Sequence, residues 1–288
     1  MLLESTRREL HRLNLRSRKR LGQHFLIDEE VLDIIVRTAD LAESDTVIEI
    51  GPGLGVLSRE IARRAGRLIA VELDDRLASI LKGKMARFAN TTVINDNVLN
   101  VGPPSLIEIA QPGISAAATT SYKVMANLPY YITSAVIRHF LGVTLKPGLM
   151  VLMVQKEVAE AITAGPGRMS LLAISVQLYA RAELVEYVPA RCFYPVPEVD
   201  SALIKLASYP APALKVNEEG FFNLVRAGFT ASRKQICNSL ARGLGMAKEN
   251  ICSRLSEAGI AKERRAETLS LEEWGELWQI FDRWGKGD

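Results

Sequence analysis

The stretch that most constrains this chain is an apolar run ending in glycines, Val47-Ile48-Glu49-Ile50-Gly51-Pro52-Gly53-Leu54-Gly55. Val47–Ile50 reads as a buried strand and the residues from Val56 onward as a helix. The glycines between them let the backbone turn tightly and approach a ligand with no Cβ in the way. About twenty residues further on, Ala70-Val71-Glu72 ends a second apolar strand on an acid, which can accept hydrogen bonds from the hydroxyls of a ribose. Asp96 ends a third strand, where a carboxylate can take the amino group of an adenine ring. A tight turn without a ligand would also use glycine, and Glu72 by itself could be a solvated strand end. Three glycines with two distal acids favour a bound nucleoside.

Nicotinamide dinucleotides and S-adenosylmethionine both use this combination. Here the spacing is Gly-x-Gly-x-Gly, and Val56 stands where the dinucleotide fingerprint has its third glycine. Asp96 has no standard counterpart in dinucleotide enzymes. S-adenosylmethionine is the expected cofactor, and no metal is expected. The alternative is a nicotinamide-dependent oxidoreductase, which would show itself by binding nicotinamide and not S-adenosylmethionine.

Further short strands are expected at Leu68–Val71, Thr92–Ile94, Lys123–Met125, Leu149–Val154 and Val199–Leu206, with helical spacing between them. This alternation predicts an α/β fold whose parallel sheet is covered on both faces, with ligands outside the carboxyl ends of its strands. Residues 155–180 read as two helices broken by Gly165-Pro166-Gly167, and Ser115–Ser121 as a surface loop. Tyr209–Ala213 reads as a proline-rich linker. Residues 218–284 read as wholly helical, with Phe221, Phe222, Val225 and Phe229 on one face and a late Trp274, Trp278 and Phe281 cluster. Three parts are expected: a basic arm and cofactor-capping segment over 1–30, a sheet domain over 31–208 and a small helical domain over 213–288.

The fourth strand runs into Asn127-Leu128-Pro129-Tyr130. An adenine amine is a poor nucleophile because its lone pair is delocalised into the ring. To attack a sulfonium methyl, the nitrogen must become more tetrahedral. The side-chain oxygen of Asn127 and the carbonyl of Leu128, aimed by the stiff Pro129, can draw it that way. Tyr130 offers a flat face on which a base can stack, worth about 1–3 kcal/mol. Read alone, Asn-Leu-Pro-Tyr is also an ordinary turn after a strand. A second aromatic element, Phe193-Tyr194-Pro195-Val196-Pro197, could use Phe193 to close the other face of the base, or could bury it as core packing.

With 288 residues, 48% of them hydrophobic, the chain can bury a full core, and no apolar run is long enough to span a bilayer. Cys192, Cys237 and Cys252 lie far apart, with three histidines in the whole chain, so neither a zinc site nor a disulfide framework is expected. The net charge is only +3, yet Arg7, Arg8, Arg12, Arg16, Arg18, Lys19 and Arg20 crowd the first twenty residues against Glu4 and Glu9. Such an arm suits a polyanion, a solvated terminus or an Arg-rich transit segment, though no cleavage signal is recognisable.

Taken in order, six motifs resemble the small-subunit ribosomal RNA adenine dimethyltransferase family. They are Leu21-Gly-Gln-His24-Phe-Leu26-Ile-Asp28, Glu49 to Gly55, Val71-Glu72-Leu-Asp74, Asp96-Asn-Val-Leu99, Asn127 to Tyr130 and Phe193 to Ser201. The resemblance extends into Phe229-Thr-Ala-Ser-Arg-Lys-Gln-Ile-Cys-Asn-Ser-Leu240. It implies a Rossmann-like, seven-stranded class I methyltransferase sheet with an antiparallel last hairpin, plus a small all-helical C-terminal domain. It also implies S-adenosylmethionine-dependent dimethylation of two adjacent adenosines in the 3′-terminal hairpin loop of small-subunit (16S) rRNA, within an assembling subunit. A monomer in a bacterial cytoplasm is expected, a mitochondrion being disfavoured by the short extension before Gln23.

By matching position, His24, Leu26, Gly51, Glu72, Asp96 and Asn127 should border the cofactor, beside Gly53 and Gly55. Relatives often carry Asn where His24 stands. Arg16, Arg18, Lys19, Arg20, Arg233 and Lys234 are candidates for RNA phosphate contacts, against plain solvation. A large-subunit rRNA adenine methyltransferase shares most of these motifs, and the Arg233-Lys-Gln-Ile-Cys-Asn-Ser-Leu240 run favours the small-subunit group over it. A non-catalytic RNA-binding assembly factor is the remaining alternative.

Overall fold

A computed structural model describes residues 2–12, 23–110 and 121–285. The expected loop at Ser115–Ser121 lies almost wholly outside them, as do the candidates Arg16, Arg18, Lys19 and Arg20. The chain divides into two compact units, one of Met1–Ala159 with Arg181–Ser208 and one of Glu160–Ala180 with Tyr209–Asp288. Residues 160–180 therefore group with the helical unit, whereas the sequence had assigned all of 31–208 to the sheet domain.

The first unit opens on α1 (Leu2–Arg12), β1 (Phe25–Leu26) and α2 (Glu29–Ala39). The Asp28 carboxylate starts α2 by accepting from the N–H groups of Glu30 and Val31. Elements then alternate through β2 (Thr46–Ile50), α3 (Val56–Ala62), β3 (Arg67–Glu72), α4 (Asp75–Met85), β4 (Thr91–Asn95), α5 (Pro103–Ala110), β5 (Lys123–Asn127), α6 (Thr133–Leu141) and β6 (Leu149–Gln155). After α7 (Lys156–Ile162) and α8 (Leu171–Gln177) come β7 (Ala180–Val188), β8 (Phe193–Tyr194) and β9 (Ser201–Ser208). The two helices expected between 155 and 180 are present, separated around Gly165-Pro166-Gly167.

Seven strands form one sheet in the order β4-β3-β2-β5-β6-β9-β7. Neighbours from β4 to β6 run parallel, and β9 lies antiparallel to β6. This is the seven-stranded methyltransferase sheet that the motifs implied. Its central strands are buried on both faces, with Val47, Ile48, Leu68, Ile69, Val124 and Met125 all at 0% exposure, which is why they read as unbroken apolar runs. After β2 the chain steps outward to β3 and β4, then returns to place β5 on the other side of β2. At that reversal the loops after β2 and β5 lead away from each other and leave a crevice. The topology thus brings the glycine loop and Asn127-Leu-Pro-Tyr130 together.

The start of the expected basic arm is an ordered helix. Thr6 and Leu10 of α1 are buried, Glu9 pairs with Lys84 Nζ at 2.8 Å and the Arg7 guanidinium lies 5.0 Å from the centre of the Tyr194 ring. Burial pulls the Lys84 ammonium below its usual range, partly offset by Glu9.

The second unit contains α8, within Glu160–Ala180, together with α9 (Glu218–Phe229), α10 (Ile236–Leu244), α11 (Lys248–Glu257) and α12 (Leu271–Gly285). Phe221 and Val225 are fully buried, and Phe229 stacks on the buried Trp274 with ring centres 5.9 Å apart. Two glycines in helices make opposite predictions. Gly83 of α4 has open space where a Cβ would go, so Gly83→Ala should stabilise the protein by about 0.5–1 kcal/mol. At Gly228 a Cβ would come 2.3 Å from the Trp274 ring, so Gly228→Ala should cost about 1–3 kcal/mol instead. Urea unfolding midpoints of the two variants check both signs. Among the described residues no helix is long and apolar enough to cross a membrane.

Candidate active site

The crevice beside β2 and β5 holds a cavity of about 340 Å³, walled by residues 23–26, the glycine loop and the ends of β3, β4 and β5. His24, Leu26, Gly51, Gly53, Glu72, Asp96, Asn127, Leu128, Pro129 and Tyr130 all line it. The sequence offers these residues in five separate motifs, and the fold brings them to one place.

Gly53 has φ +55 and a Cβ there would press on the Phe25 ring at 3.1 Å, so this position requires glycine twice over. Its N–H donates to Glu72 Oε2 at 3.0 Å, while Glu72 Oε1 accepts from the Asp74 N–H at 2.9 Å. The acid at the end of β3 is therefore also the brace of the glycine loop. It is 6% exposed, and burial raises its pKa, moderated by these backbone donors. Each carboxylate oxygen retains a lone pair that a hydroxyl could approach. Asp96 is exposed beside this acid, its N–H donating to the Glu72 carbonyl at 3.1 Å and its Oδ1 accepting from the Asn97 N–H at 2.6 Å. Gly55, also expected in this wall, is not part of it. It forms the N-cap of α3, and a Cβ there would meet Leu81 at 2.5 Å, so its role is in packing.

Asn127 ends β5, and its Nδ2 donates to the His24 carbonyl at 2.9 Å. That bond fixes the amide's orientation and leaves Oδ1 as the acceptor. His24 is itself held at the ring, where Nδ1 donates to the Pro195 carbonyl at 2.7 Å, since a carbonyl can only accept. Leu128 donates its N–H to the Met153 carbonyl at 3.2 Å. Pro129, at φ −56, leads into a single 3₁₀ turn over Tyr130–Ile132. The Tyr130 hydroxyl bonds the Ser201 hydroxyl at 2.8 Å, and burial raises its pKa. The His24 and Tyr130 rings lie nearly parallel, 19° apart in plane and 6.1 Å between centres.

Phe193 corrects the sequence reading. It is 1% exposed and packs in a buried cluster with Leu26, Ile35 and Leu203, and it is not itself among the residues that line the cavity. The reason is strand pairing. In the antiparallel β1–β8 ladder Phe193 faces Leu26 and Tyr194 faces Phe25, and the alternation of the strand sends Phe193 inward. The other RNA candidates, Arg233 and Lys234, are exposed in the turn between α9 and α10.

Sequence reasoning quoted Glu49 without giving it a role. It lines the cavity at 2% exposure, and its Oε2 finds no hydrogen-bond partner among the described residues. Burial pushes its carboxyl up to about 8, the Ser58 hydroxyl beside it lowers it and the Glu72 charge raises it. A buried acid with an idle oxygen beside a second acid suits a ligand that brings positive charge. S-adenosylmethionine, with its sulfonium and ammonium, fits such a wall, and the apolar Phe25, Leu54 and Val71 suit its remaining surface. The available signal was an acid set between Ile48 and Ile50, inside a strand otherwise wholly apolar. Tyr131, on the rim, was also passed over.

Comparison with known proteins agrees with this geometry. The family described as ribosomal RNA adenine dimethylase matches residues 14–282. A ribosomal RNA small subunit methyltransferase A from Dehalococcoides mccartyi is 48% identical over 281 residues, covering 97% of this chain and 94% of that protein. One of the same name from Pelotomaculum thermopropionicum is 42% identical over 276 residues, covering 94% of each. Among solved structures, a Plasmodium falciparum dimethyladenosine transferase superposes with TM-score 0.76 at 25% identity, covering 91% of this chain and 98% of that one. The 23S rRNA methyltransferase ErmE gives 0.71 at 30% identity, covering 90% and 99%.

Proposed function

The chain belongs to the ribosomal RNA adenine dimethylase family and dimethylates rRNA adenine with S-adenosylmethionine as methyl donor, and from that premise we propose that its target is small-subunit (16S) rRNA. The two adjacent adenosines of the 3′-terminal hairpin loop are the substrate in this reading, and the assembling subunit is its context. The near-complete match to relatives named for the small subunit supports it, at 48% identity against 30% for the 23S enzyme.

The observation that carries the site assignment is the Asn127 amide, whose nitrogen is committed to the His24 carbonyl. Its Oδ1 then accepts from the target amine together with the Leu128 carbonyl, and the nitrogen lone pair is drawn out of the ring plane. The Tyr130 ring, pinned through its hydroxyl to Ser201, gives the base a face to stack on. Gly51 and Gly53 give the donor close backbone contact, Glu72 its ribose hydroxyls, and Glu49 faces its charge. When bound, the donor supplies an electrophilic methyl on a sulfonium sulfur. The methylated amine is acidic and loses its proton to water, so no strong base is required. Arg233 and Lys234, with the N-terminal arginines, are proposed to meet RNA phosphates, and affinity would then fall with log salt by roughly 0.7–0.9 per phosphate neutralised.

Incubation of undermethylated small and large subunits with labelled donor, followed by mass spectrometry of nuclease fragments, tests this. Dimethyladenosine in the fragment spanning the 3′-terminal loop of 16S rRNA is expected. Label confined to large-subunit rRNA would overturn the assignment.

A further inference from the structure

A nucleotide strand that delivers one base into the cleft must leave over its rim, so its neighbouring base lies against whatever side chain stands there. At that rim is Tyr131, which lines the cavity yet is 62% exposed. It sits in the middle of the Tyr130–Ile132 turn, closed by the Ile132 N–H donating to the Pro129 carbonyl at 3.1 Å. Tyr130 before it is tied to Ser201, and Thr133 after it caps back to the Tyr130 carbonyl. The ring is thus presented to solvent by a backbone fixed on both sides. A single exposed tyrosine is ordinary on a protein surface. An aromatic ring on a rigid turn at the mouth of a base-binding cleft is a stacking platform held ready.

A second exposed apolar residue belongs to the same neighbourhood. Val196 is 61% exposed, and the residue before it, Pro195, accepts from the ring of His24, which lies parallel to Tyr130.

We infer that Tyr131 stacks on the base adjacent to the adenine that enters the cleft, and so determines how the RNA strand is seated. This rests on the RNA-methylating reading above. Tyr131 acts in substrate positioning, and the chemistry at the target nitrogen stays with Asn127 and Leu128.

The test uses the full chain and a short RNA hairpin carrying the target adenosine, with either neighbouring nucleotide replaced in turn by an abasic ribose. With intact RNA, Tyr131→Ala should weaken binding by about five- to a hundredfold, the range of one base–aromatic stack. Tyr131→Phe should hold wild-type affinity, because the ring and not the hydroxyl carries the contact. For one of the two neighbours, removing its base should cost the wild type as much as Tyr131→Ala does, and removing both should cost no more than either. The fluorescence of 2-aminopurine at that neighbour should be quenched by the wild type and not by Tyr131→Ala. Unchanged affinity in Tyr131→Ala, or additive losses with both abasic substrates, would overturn the inference. Because these are binding measurements, a wild-type chain that bound the hairpin without methylating it would refute the activity and leave the platform standing.

Discussion

Replacing Asn127 with Ala should slow methyl transfer by about a hundred- to a thousandfold or more, while RNA binding is largely retained. The amine gains nucleophilicity only as its lone pair leaves the ring, and a fixed acceptor is worth most at that moment because it needs no reorganisation. Asn127 is fixed from both ends, by β5 pairing with β2 and β6 and by its Nδ2 bond to the His24 carbonyl at 2.9 Å. Single-turnover rates at saturating donor and RNA are the measurement, since they separate chemistry from binding and release. Asn127→Asp gives the contrasting case, keeping an acceptor oxygen but facing the His24 carbonyl with negative charge, so donor affinity should suffer as well. Near-normal turnover in Asn127→Ala would remove this side chain from the chemistry.

The other large effect concerns pH. Burial holds Glu49 protonated up to about 8, against 4.5 for an unburied glutamate. Between these values the folded chain binds a proton that the unfolded chain has released, so stability falls as pH rises across the window. At about 1.4 kcal/mol per unit, the loss amounts to a few kcal/mol by pH 8. Glu49→Gln keeps the shape and cannot ionise. It should therefore melt close to wild type near pH 5 and several degrees above it near pH 8.5, a comparison that thermal unfolding across the range makes directly. Glu72 is raised in the same direction, so some slope should survive in the variant. Equal melting temperatures at pH 8.5 would mean that Glu49 is already ionised and paired. Saturating S-adenosylmethionine should narrow the difference at high pH, because its positive charge compensates the ionised acid.

The sheet and the cleft were legible because their signals are local. The interiors of β2, β3, β5 and β6 are buried on both faces and read as largely apolar runs, and the glycine loop, Glu72 and Asn127 stand at their ends. What escaped depended on partners distant in sequence. Strand β7, with Arg181, Glu183 and Glu186 exposed or half-exposed along it, lies at the sheet edge and has no apolar run to announce it. For Phe193 the sequence leaves two roles open, closing the base site or packing in the core, and only its pairing with Leu26 shows which way it faces. The grouping of 160–180 with the helical unit could not be read from its helical pattern, which is the same in either surroundings. Glu49 was visible as an acid in an apolar strand, but its idle oxygen is a property of the folded wall.

The clasp between His24 and Pro195 has a bearing on biosynthesis. It joins residues 171 positions apart, and the β1–β8 pairing beside it spans a similar distance. Most of the pocket wall is synthesised early, between Gln23 and Ile132, yet the His24 ring and the Phe25–Leu26 strand lack their partners Pro195 and Phe193–Tyr194 until translation passes that point. Since polypeptides fold as they emerge, a nascent chain stalled before that point would carry an open, unlatched pocket. Capacity to capture the methyl donor should then arise abruptly, late in elongation, once this final fastener clears the exit tunnel.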